Sequence, residues 1–267
     1  MGETGLLDTF ERTEFVHEGK TRDVFRLGSG PPVLVLSEMP GITPAVVAFA
    51  RKVVERGMTA VLPHLFGVPG SPPTPLVYAK ALLPACVSKE FAAFATGGSA
   101  PVTRWLRALA RRECEVADVG RCGVVGMCWT GGFSLAMAVE PVVVAPVMSQ
   151  PSLPLPVTAR HRRDLHASAD EIEAVKQRAR DGLCIMGLRF TNDALVPSER
   201  FAHLKELLGD AFIAVEIDSS PGNPHGIRPR AHSVLTEDLV DEPGHPTHEA
   251  LERVLSFLTE RLVSESR

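Results

Sequence analysis

Residues 123–133 have the sequence GVVGMCWTGGF. An apolar run ends at Gly126, Cys128 follows two positions later, and a glycine pair precedes an apolar segment that starts at Phe133. This pattern predicts a strand, a sharp turn and a helix, with Cys128 on the turn. The glycines favour such a turn because the strand and the helix can approach each other only where side chains are absent. The stretch has the form of the G-x-S-x-G elbow, with cysteine in place of serine.

Cys128 is the candidate nucleophile of this stretch. The predicted helix begins directly after it, so the helix N-terminus presents free N–H groups and the positive end of its dipole to the sulfur. That environment favours a thiolate and, later in a reaction, an oxyanion. The alternative is that Cys128 is an ordinary buried cysteine that packs as a small hydrophobic residue.

Apolar strands alternate with helical segments on both sides of this turn, from residue 33 onward. The predicted strands cover residues 33–37, 58–62, 123–126, 141–147, 183–187 and 211–217, after an opening hairpin of residues 13–17 and 23–27. The predicted helices cover residues 43–57, 78–95, 101–114, 133–139, 168–180, 197–208 and 249–263, and the second of them is expected to break at Pro84. This alternation predicts an α/β fold whose central sheet is mostly parallel and carries helices on both faces. We expect residues 1–267 to form a single domain, in which the proline-rich segment 150–180 is a possible cap or insertion.

Composition excludes several classes of protein. The chain has 267 residues, 45% of them hydrophobic, and a net charge of −4, so we expect a folded protein that binds neither nucleic acid nor a membrane surface. Its five cysteines form no C-x-x-C pair, which argues against a disulfide framework or a zinc site and favours a reducing cytoplasm. Residues 1–4 are acidic, and apolar residues do not follow them as a core, so we expect no signal peptide, and no apolar run is long enough to predict a membrane span. We expect neither a metal nor a cofactor.

We expect the functional side chains directly after the strands, because ligands of open α/β sheets bind outside the carboxyl ends of the strands. The polar residues directly after predicted strands are Glu38, His64, Cys128, Ser149, Gln150 and Asp193. A loop with two histidines, His225 and His232, follows the last strand. The order Cys128, Asp193, histidine is the order of nucleophile, acid and base in α/β-hydrolases, where the acid orients the imidazole that takes the nucleophile's proton. We prefer His232 as the base and keep His225 as the alternative.

Taken together, these residues resemble the dienelactone hydrolase family, the cysteine branch of the α/β-hydrolases. The matching pieces are residues 33–41, 124–132, 192–197 and 231–233. The resemblance implies a carboxymethylenebutenolidase-like hydrolase that cleaves a carboxylic ester or lactone through an acyl-enzyme. It further implies the following roles: Cys128, His232 and Asp193 as the triad, Glu38 as the carboxylate that holds the resting thiol, and the backbone N–H groups of Met39 and Trp129 as the oxyanion hole.

The sequence also departs from the family. Dienelactone hydrolase proper has an arginine shortly after its histidine, and this chain has Thr236 four residues after His232. Arg228 and Arg230, which precede the histidine, are candidates to replace that arginine as the contact for a substrate carboxylate. Because of this departure and the long proline-rich segment before the acid strand, dienelactone is not the favoured substrate, and Trp129 favours an apolar or aromatic group in the pocket. The alternative hypothesis is a non-catalytic member of the fold that binds a small molecule. A thiol-based redox sensor is a third, less favoured hypothesis. The sequence does not determine an oligomeric state.

Overall fold

A twisted eight-stranded sheet runs through the computed structural model, which describes residues 5–263. The strands are β1 (Glu11–His17), β2 (Lys20–Leu27), β3 (Pro32–Leu36), β4 (Thr59–Pro63), β5 (Cys122–Met127), β6 (Val143–Ser149), β7 (Ile185–Phe190) and β8 (Phe212–Ile217). Their spatial order is β1-β2-β4-β3-β5-β6-β7-β8. The pairs β1–β2 and β2–β4 are antiparallel, and every other neighbouring pair is parallel. The predicted mostly parallel sheet is confirmed.

Helices cover both faces of the sheet. They are α1 (Pro44–Glu55), α2 (Pro75–Val87), α3 (Val102–Val116), α4 (Gly131–Met137), α5 (Ala159–Arg163), α6 (Ala169–Arg180), α7 (Ser198–Leu208) and α8 (Pro246–Leu262). Helices α1 and α8 pack on one face, whereas α2, α3, α4, α6 and α7 pack on the other. Successive residues of β3 are buried in opposite layers, Val33 and Val35 under α1 and α8, and Leu34 and Leu36 under α2 and α3. A strand buried on both sides needs apolar residues at every position, which explains its continuous apolar sequence.

The second helix differs from its prediction. It starts at Pro75, after the N-cap Thr74, and continues through Pro84 to Val87. The predicted break at Pro84 is therefore wrong. Proline in a helix interior removes one hydrogen bond, and this helix ends one turn after Pro84, so residues 88–95, which were predicted to be helical, are not. A short helix, α5, which the sequence analysis did not predict, lies within the segment 150–180.

The topology brings the ends of β3, β5, β6 and β7 to one edge of the sheet, because these strands are parallel. Glu38, Cys128, Gln150 and Asp193 all lie within a few residues of these ends. No helix of the described residues is long and apolar enough to cross a bilayer. Residues 1–4, on which the signal-peptide prediction rests, lie outside the part of the chain that the structure describes.

Candidate active site

Cys128 lies on a tight turn with a strained backbone conformation. Cys128 has a φ of 54°, a left-handed conformation that non-glycine residues rarely adopt. Met127 ends β5, and a single 3₁₀ turn over Cys128–Thr130 leads into α4. A Cβ atom at Gly126 would lie 2.2 Å from the carbonyl oxygen of Thr130, so only glycine fits beneath this turn. The predicted strand, turn and helix are therefore present, and the backbone strain at Cys128 is of the kind that clusters at functional sites.

Thr130 fixes the turn to the neighbouring strand. Its hydroxyl accepts a hydrogen bond from the backbone N–H of Met127 at 2.9 Å and donates one to the carbonyl oxygen of Leu36, also at 2.9 Å. All three residues are buried. Because Leu36 ends β3, this threonine holds the Cys128 turn next to the loop that contains Glu38 and Met39.

His232 and Asp193 are brought together from two different loops. The Nδ1 atom of His232 lies 2.6 Å from Oδ2 of Asp193, and Oδ1 of Asp193 accepts a hydrogen bond from the backbone N–H of Leu195 at 2.9 Å. The Asp193 carboxylate is 4% exposed, so this contact is shielded from water. His225, the alternative base, is exposed, and its ring faces His245 at a centroid distance of 5.7 Å.

The His232 ring is also close to the sulfur of Cys128. Burial lowers the pKa of His232, but the negative charges of Cys128 and Asp193 and the contacts with both groups outweigh this and raise the pKa well above its ordinary value. The buried Nε2 atom has no hydrogen bond of standard geometry to the described residues. Since Nδ1 is occupied by Asp193, Nε2 is the ring atom left to exchange a proton with the sulfur.

Asp238 holds the histidine loop, a role that sequence reasoning missed. Its Oδ2 atom accepts hydrogen bonds from the backbone N–H groups of His232 at 2.8 Å and Ser233 at 3.0 Å. Arg228 donates to the same carboxylate, at 2.6 Å and 3.0 Å. Although burial alone raises the pKa of Asp238, these donors lower it below its ordinary value. Arg228, one of the two arginines considered as a substrate contact, is thus engaged in holding the loop.

Glu38 lies in the site but contacts other groups than the predicted thiol. Its carboxyl group accepts hydrogen bonds from the hydroxyls of Ser233, at 2.7 Å, and Thr236, and from the side-chain amide of Gln150 at 3.2 Å. Burial raises the pKa of Glu38, and the hydroxyl donors only partly offset this effect. The structure thus places Thr236, which stands where the family has arginine, directly against Glu38. That Glu38 holds the resting thiol stays a prediction.

The sulfur of Cys128 contacts a residue that the sequence analysis did not single out. Its Sγ atom lies 3.4 Å from the hydroxyl of Ser152, in the segment that follows β6. The backbone N–H of Met39 makes no hydrogen bond to another described residue. Trp129 lies in the first turn of its helix, where a backbone N–H has no acceptor within the helix. Both predicted oxyanion-hole donors are therefore free to bind an oxygen atom.

Helix α2 contributes Tyr78 to the surroundings of the site. Burial raises the pKa of Tyr78 to about 12, and the negative charges of Glu38 and Cys128 add to this rise. It is the chain's single tyrosine.

His64, a candidate from the sequence, lies outside this site. Its Nε2 atom is bound to the carbonyl oxygen of Gly67 at 3.0 Å, and the residue lines a different cavity, together with Arg12 and Asp23. The described residues contain no cluster of histidine, cysteine and carboxylate side chains that could hold a metal ion.

Comparison with known proteins decides the family. The sequence model of the dienelactone hydrolase family matches residues 24–262, which is most of the chain. The chain belongs to the dienelactone hydrolase family. This confirms the resemblance inferred from the elbow, the acid loop and the histidine loop, and it makes the chain a member of a hydrolase family. No curated protein matches the sequence.

Solved structures share the fold at low sequence identity. A dienelactone hydrolase-like promiscuous phosphotriesterase from metagenomic libraries superposes with a TM-score of 0.61 at 14% identity, over 95% of this chain and 98% of that one. A Klebsiella pneumoniae protein assigned as a dienelactone hydrolase gives a TM-score of 0.58 at 16% identity, over 94% and 98%. Est1E from Butyrivibrio proteoclasticus gives 0.56 at 13% identity, over 94% and 98%. At these identities the likeness establishes the α/β-hydrolase fold alone.

Proposed function

We propose that this chain hydrolyses a carboxylic ester or lactone, with Cys128 as nucleophile, His232 as base and Asp193 as the acid that orients the base. The observation that carries this proposal is the contact of 2.6 Å between His232 Nδ1 and Asp193 Oδ2 next to a cysteine on a strained turn. In a cysteine triad the acid fixes the imidazole tautomer, and the free ring nitrogen takes the thiol proton. The three side chains are supplied by three separate loops at the carboxyl edge of the sheet, the usual place for a site in this kind of fold.

The proposed reaction has two halves. His232 Nε2 takes the proton of Cys128, the thiolate attacks the ester carbonyl carbon, and the backbone N–H groups of Met39 and Trp129 bind the resulting oxyanion. The intermediate collapses as the C–O bond to the alcohol breaks, and the imidazolium gives its proton to the leaving oxygen. In the second half His232 takes a proton from water as the hydroxide adds to the carbonyl carbon of the thioester. The tetrahedral intermediate collapses as the C–S bond breaks, the imidazolium returns its proton to the sulfur, and the acid is released.

Glu38 has the role that family resemblance implies, as a carboxylate that holds the resting thiol until substrate displaces it. This role requires Glu38 to leave the hydrogen bonds that it makes with Ser233, Thr236 and Gln150. Burial raises the pKa of Glu38, which makes its carboxylate a stronger hydrogen-bond acceptor for the thiol, and the thiol proton passes to His232 once substrate displaces Glu38. If Glu38 gates the sulfur, Glu38→Gln changes the rate at which iodoacetamide alkylates Cys128. An unchanged alkylation rate would show that Glu38 does not control the reactivity of the Cys128 sulfur.

The proposed substrate class is a small ester or lactone with an apolar or aromatic group. Trp129 and Met39 are buried beside Cys128 and belong to the same apolar cluster as Phe66 and Phe91. Thr236 is neutral and hydrogen-bonded to Glu38, so it offers no cation for a substrate carboxylate. Dienelactone, which carries a carboxylate, is therefore a weaker candidate than a neutral aryl ester, although the enzyme class stays carboxymethylenebutenolidase-like in this proposal.

The test is hydrolysis of p-nitrophenyl acetate by wild type, Cys128→Ala and Cys128→Ser. We expect both variants to lose about a thousandfold or more in kcat/KM, because a triad loses most of its rate when its nucleophile is removed. Cys86→Ala is the matched control, since Cys86 is a partly buried free cysteine of α2. If Cys128→Ala keeps the wild-type turnover, the nucleophile is wrong. If wild type shows no turnover on a panel of aryl esters and lactones, the alternative of a non-catalytic binding protein gains support.

A further inference from the structure

Ser152 reaches the nucleophile from the segment that follows β6. It is fully buried, its backbone N–H donates a hydrogen bond to the carbonyl oxygen of Cys128 at 3.0 Å, and its hydroxyl oxygen lies 3.4 Å from Sγ of the same residue. Ser152 therefore contacts both the backbone and the side chain of Cys128. No other described residue makes contact with Cys128 through both groups by hydrogen bonds.

The hydroxyl of Ser152 has no competing partner. Among the described residues, the Cys128 sulfur is the one group within hydrogen-bond distance of this oxygen. Besides His232, Glu38 is a candidate partner of the sulfur, but it is engaged with Ser233, Thr236 and Gln150. A buried hydroxyl that faces a single acceptor is expected to donate to it, and a negatively charged sulfur is a stronger acceptor than a neutral one.

The main chain around Ser152 is held in place by buried contacts. Arg200 is fully buried and donates hydrogen bonds to the carbonyl oxygens of Pro151 at 2.6 Å and Pro154 at 2.7 Å. On the other side, a Cβ atom at Gly131 would lie 2.6 Å from Cα of Pro151, so the segment packs closely on the start of α4. These contacts fix the position of the Ser152 hydroxyl relative to the Cys128 turn.

We propose that Ser152 is a positioning residue that donates a hydrogen bond to the sulfur of Cys128, fixes its side-chain rotamer in the resting thiol and stabilises the thiolate that forms when His232 takes the proton. The inference rests on the proposed function, because it takes Cys128 as the nucleophile. A neutral hydroxyl holds the sulfur without having to be displaced by substrate, unlike a carboxylate. Ser152 and the imidazolium of His232 then share the thiolate, and attack on the carbonyl carbon breaks the Ser152 contact.

The experiment measures the rate at which iodoacetamide alkylates Cys128 as a function of pH, read by mass spectrometry of the Cys128 peptide. We expect Ser152→Ala to move the profile to higher pH and to lower the rate at neutral pH about 10-fold, because a hydrogen bond to a charged group is lost. The matched control is Ser37→Ala, which removes a buried hydroxyl that has no partner among the described residues, and its profile should match wild type. The titratable groups around the sulfur, which are His232, Asp193, Glu38 and Tyr78, are the same in all three proteins.

A conservative replacement distinguishes the effect of the Ser152 hydroxyl from the effect of side-chain packing. Ser152→Thr keeps the hydroxyl and should restore most of the neutral-pH rate, whereas a purely structural role would leave Thr no better than Ala. Superposition of the Ser152→Ala and wild-type profiles would overturn the inference. So would an equal shift in Ser37→Ala.

Measuring ester hydrolysis by the same variants tests the proposed function separately from the role of Ser152. Alkylation reports on the sulfur alone. If the profile shifts while no ester is turned over, the Ser152 contact stands and the hydrolase proposal fails. If turnover depends on Cys128 but Ser152→Ala leaves the alkylation profile and kcat unchanged, the hydrolase proposal stands and the Ser152 inference fails.

Discussion

The carboxyl group of Glu38 is buried among neutral donors. Ser233, Thr236 and Gln150 surround it with two hydroxyls and an amide, and no cation forms an ion pair with it among the described residues. Burial without a full charge partner disfavours the ionised form, which is why the pKa of Glu38 is raised. The free energy of unfolding therefore depends on whether the Glu38 carboxyl group is protonated.

This coupling gives a prediction for the pH dependence of stability. Since the folded-state pKa of Glu38 lies above its unfolded value, the folded protein holds this proton longer, and ionisation of Glu38 lowers stability as pH rises from the unfolded pKa through the folded one. The amide that Glu38→Gln introduces cannot ionise, so we expect the variant to gain stability relative to wild type as pH rises through that window. Urea unfolding at several pH values checks this.

The control for that series is Glu14→Gln, which changes an exposed carboxyl group on β1. It should show no comparable pH-dependent difference from wild type. A difference between Glu38→Gln and wild type that stays constant with pH would show that the protonation of Glu38 does not change on unfolding.

At the scale of elements, one side chain of α7, Arg200, binds the main chain of the segment after β6 at four positions between residues 151 and 164. Besides Pro151 and Pro154, Arg200 donates to the carbonyl oxygens of His161 at 2.9 Å and Asp164 at 2.9 Å. Burial lowers the pKa of Arg200 to about 10, and the nearby Asp164 partly offsets this. A single guanidinium thereby provides donors for four carbonyl groups of a segment that has little regular structure of its own.

Arg200→Met should therefore destabilise the protein by about 3 kcal/mol, because it leaves buried carbonyl groups without donors. The effect should extend to Cys128, since Ser152 lies in the same segment. Arg162→Ala is the matched control: Arg162 pairs with Glu199 at 2.8 Å, and both side chains are about 40% exposed, so the loss of this ion pair should leave the unfolding midpoint close to that of wild type. Equal unfolding midpoints in urea for the two variants would contradict the assigned role of Arg200.

At the scale of the whole molecule, the free cysteines lie at different depths. Cys114 and Cys122 are buried between α3 and β5, whereas Cys86 and Cys184 are partly exposed. Access to the first pair requires the helix to separate from the sheet, which opens a large part of the apolar core.

We therefore expect iodoacetamide to alkylate Cys86 and Cys184 in the native protein, and Cys114 and Cys122 only on global unfolding. Pulsed labelling at increasing urea concentrations, read peptide by peptide, should give one common midpoint for Cys114 and Cys122. That midpoint should coincide with the loss of far-UV circular dichroism. Labelling of either residue in native buffer at the rate of Cys184 would show that α3 opens independently of the rest.

The sequence alone predicted the fold class and the family, and both are confirmed. These features depend on local signals: the apolar strands, the glycines around Cys128 and the alternation of strands with helices are all readable within a few residues. The helix limits were less accurate near Pro84, because the capacity of a helix to continue past proline depends on what packs against it. The short helix α5 was missed because its sequence is basic and lacks an apolar face.

Tertiary structure decided which side chains meet. The sequence left two histidines open, and the structure brings His232 to Asp193 and leaves His225 away from it. It also revealed Ser152 against Cys128, Thr236 against Glu38 and Asp238 under the histidine loop. These contacts join loops that are distant in sequence, and the conformation of such loops is set by buried hydrogen bonds rather than by hydrophobic periodicity. The elbow therefore follows from local sequence, whereas the surroundings of its sulfur follow from how the loops pack at the sheet edge.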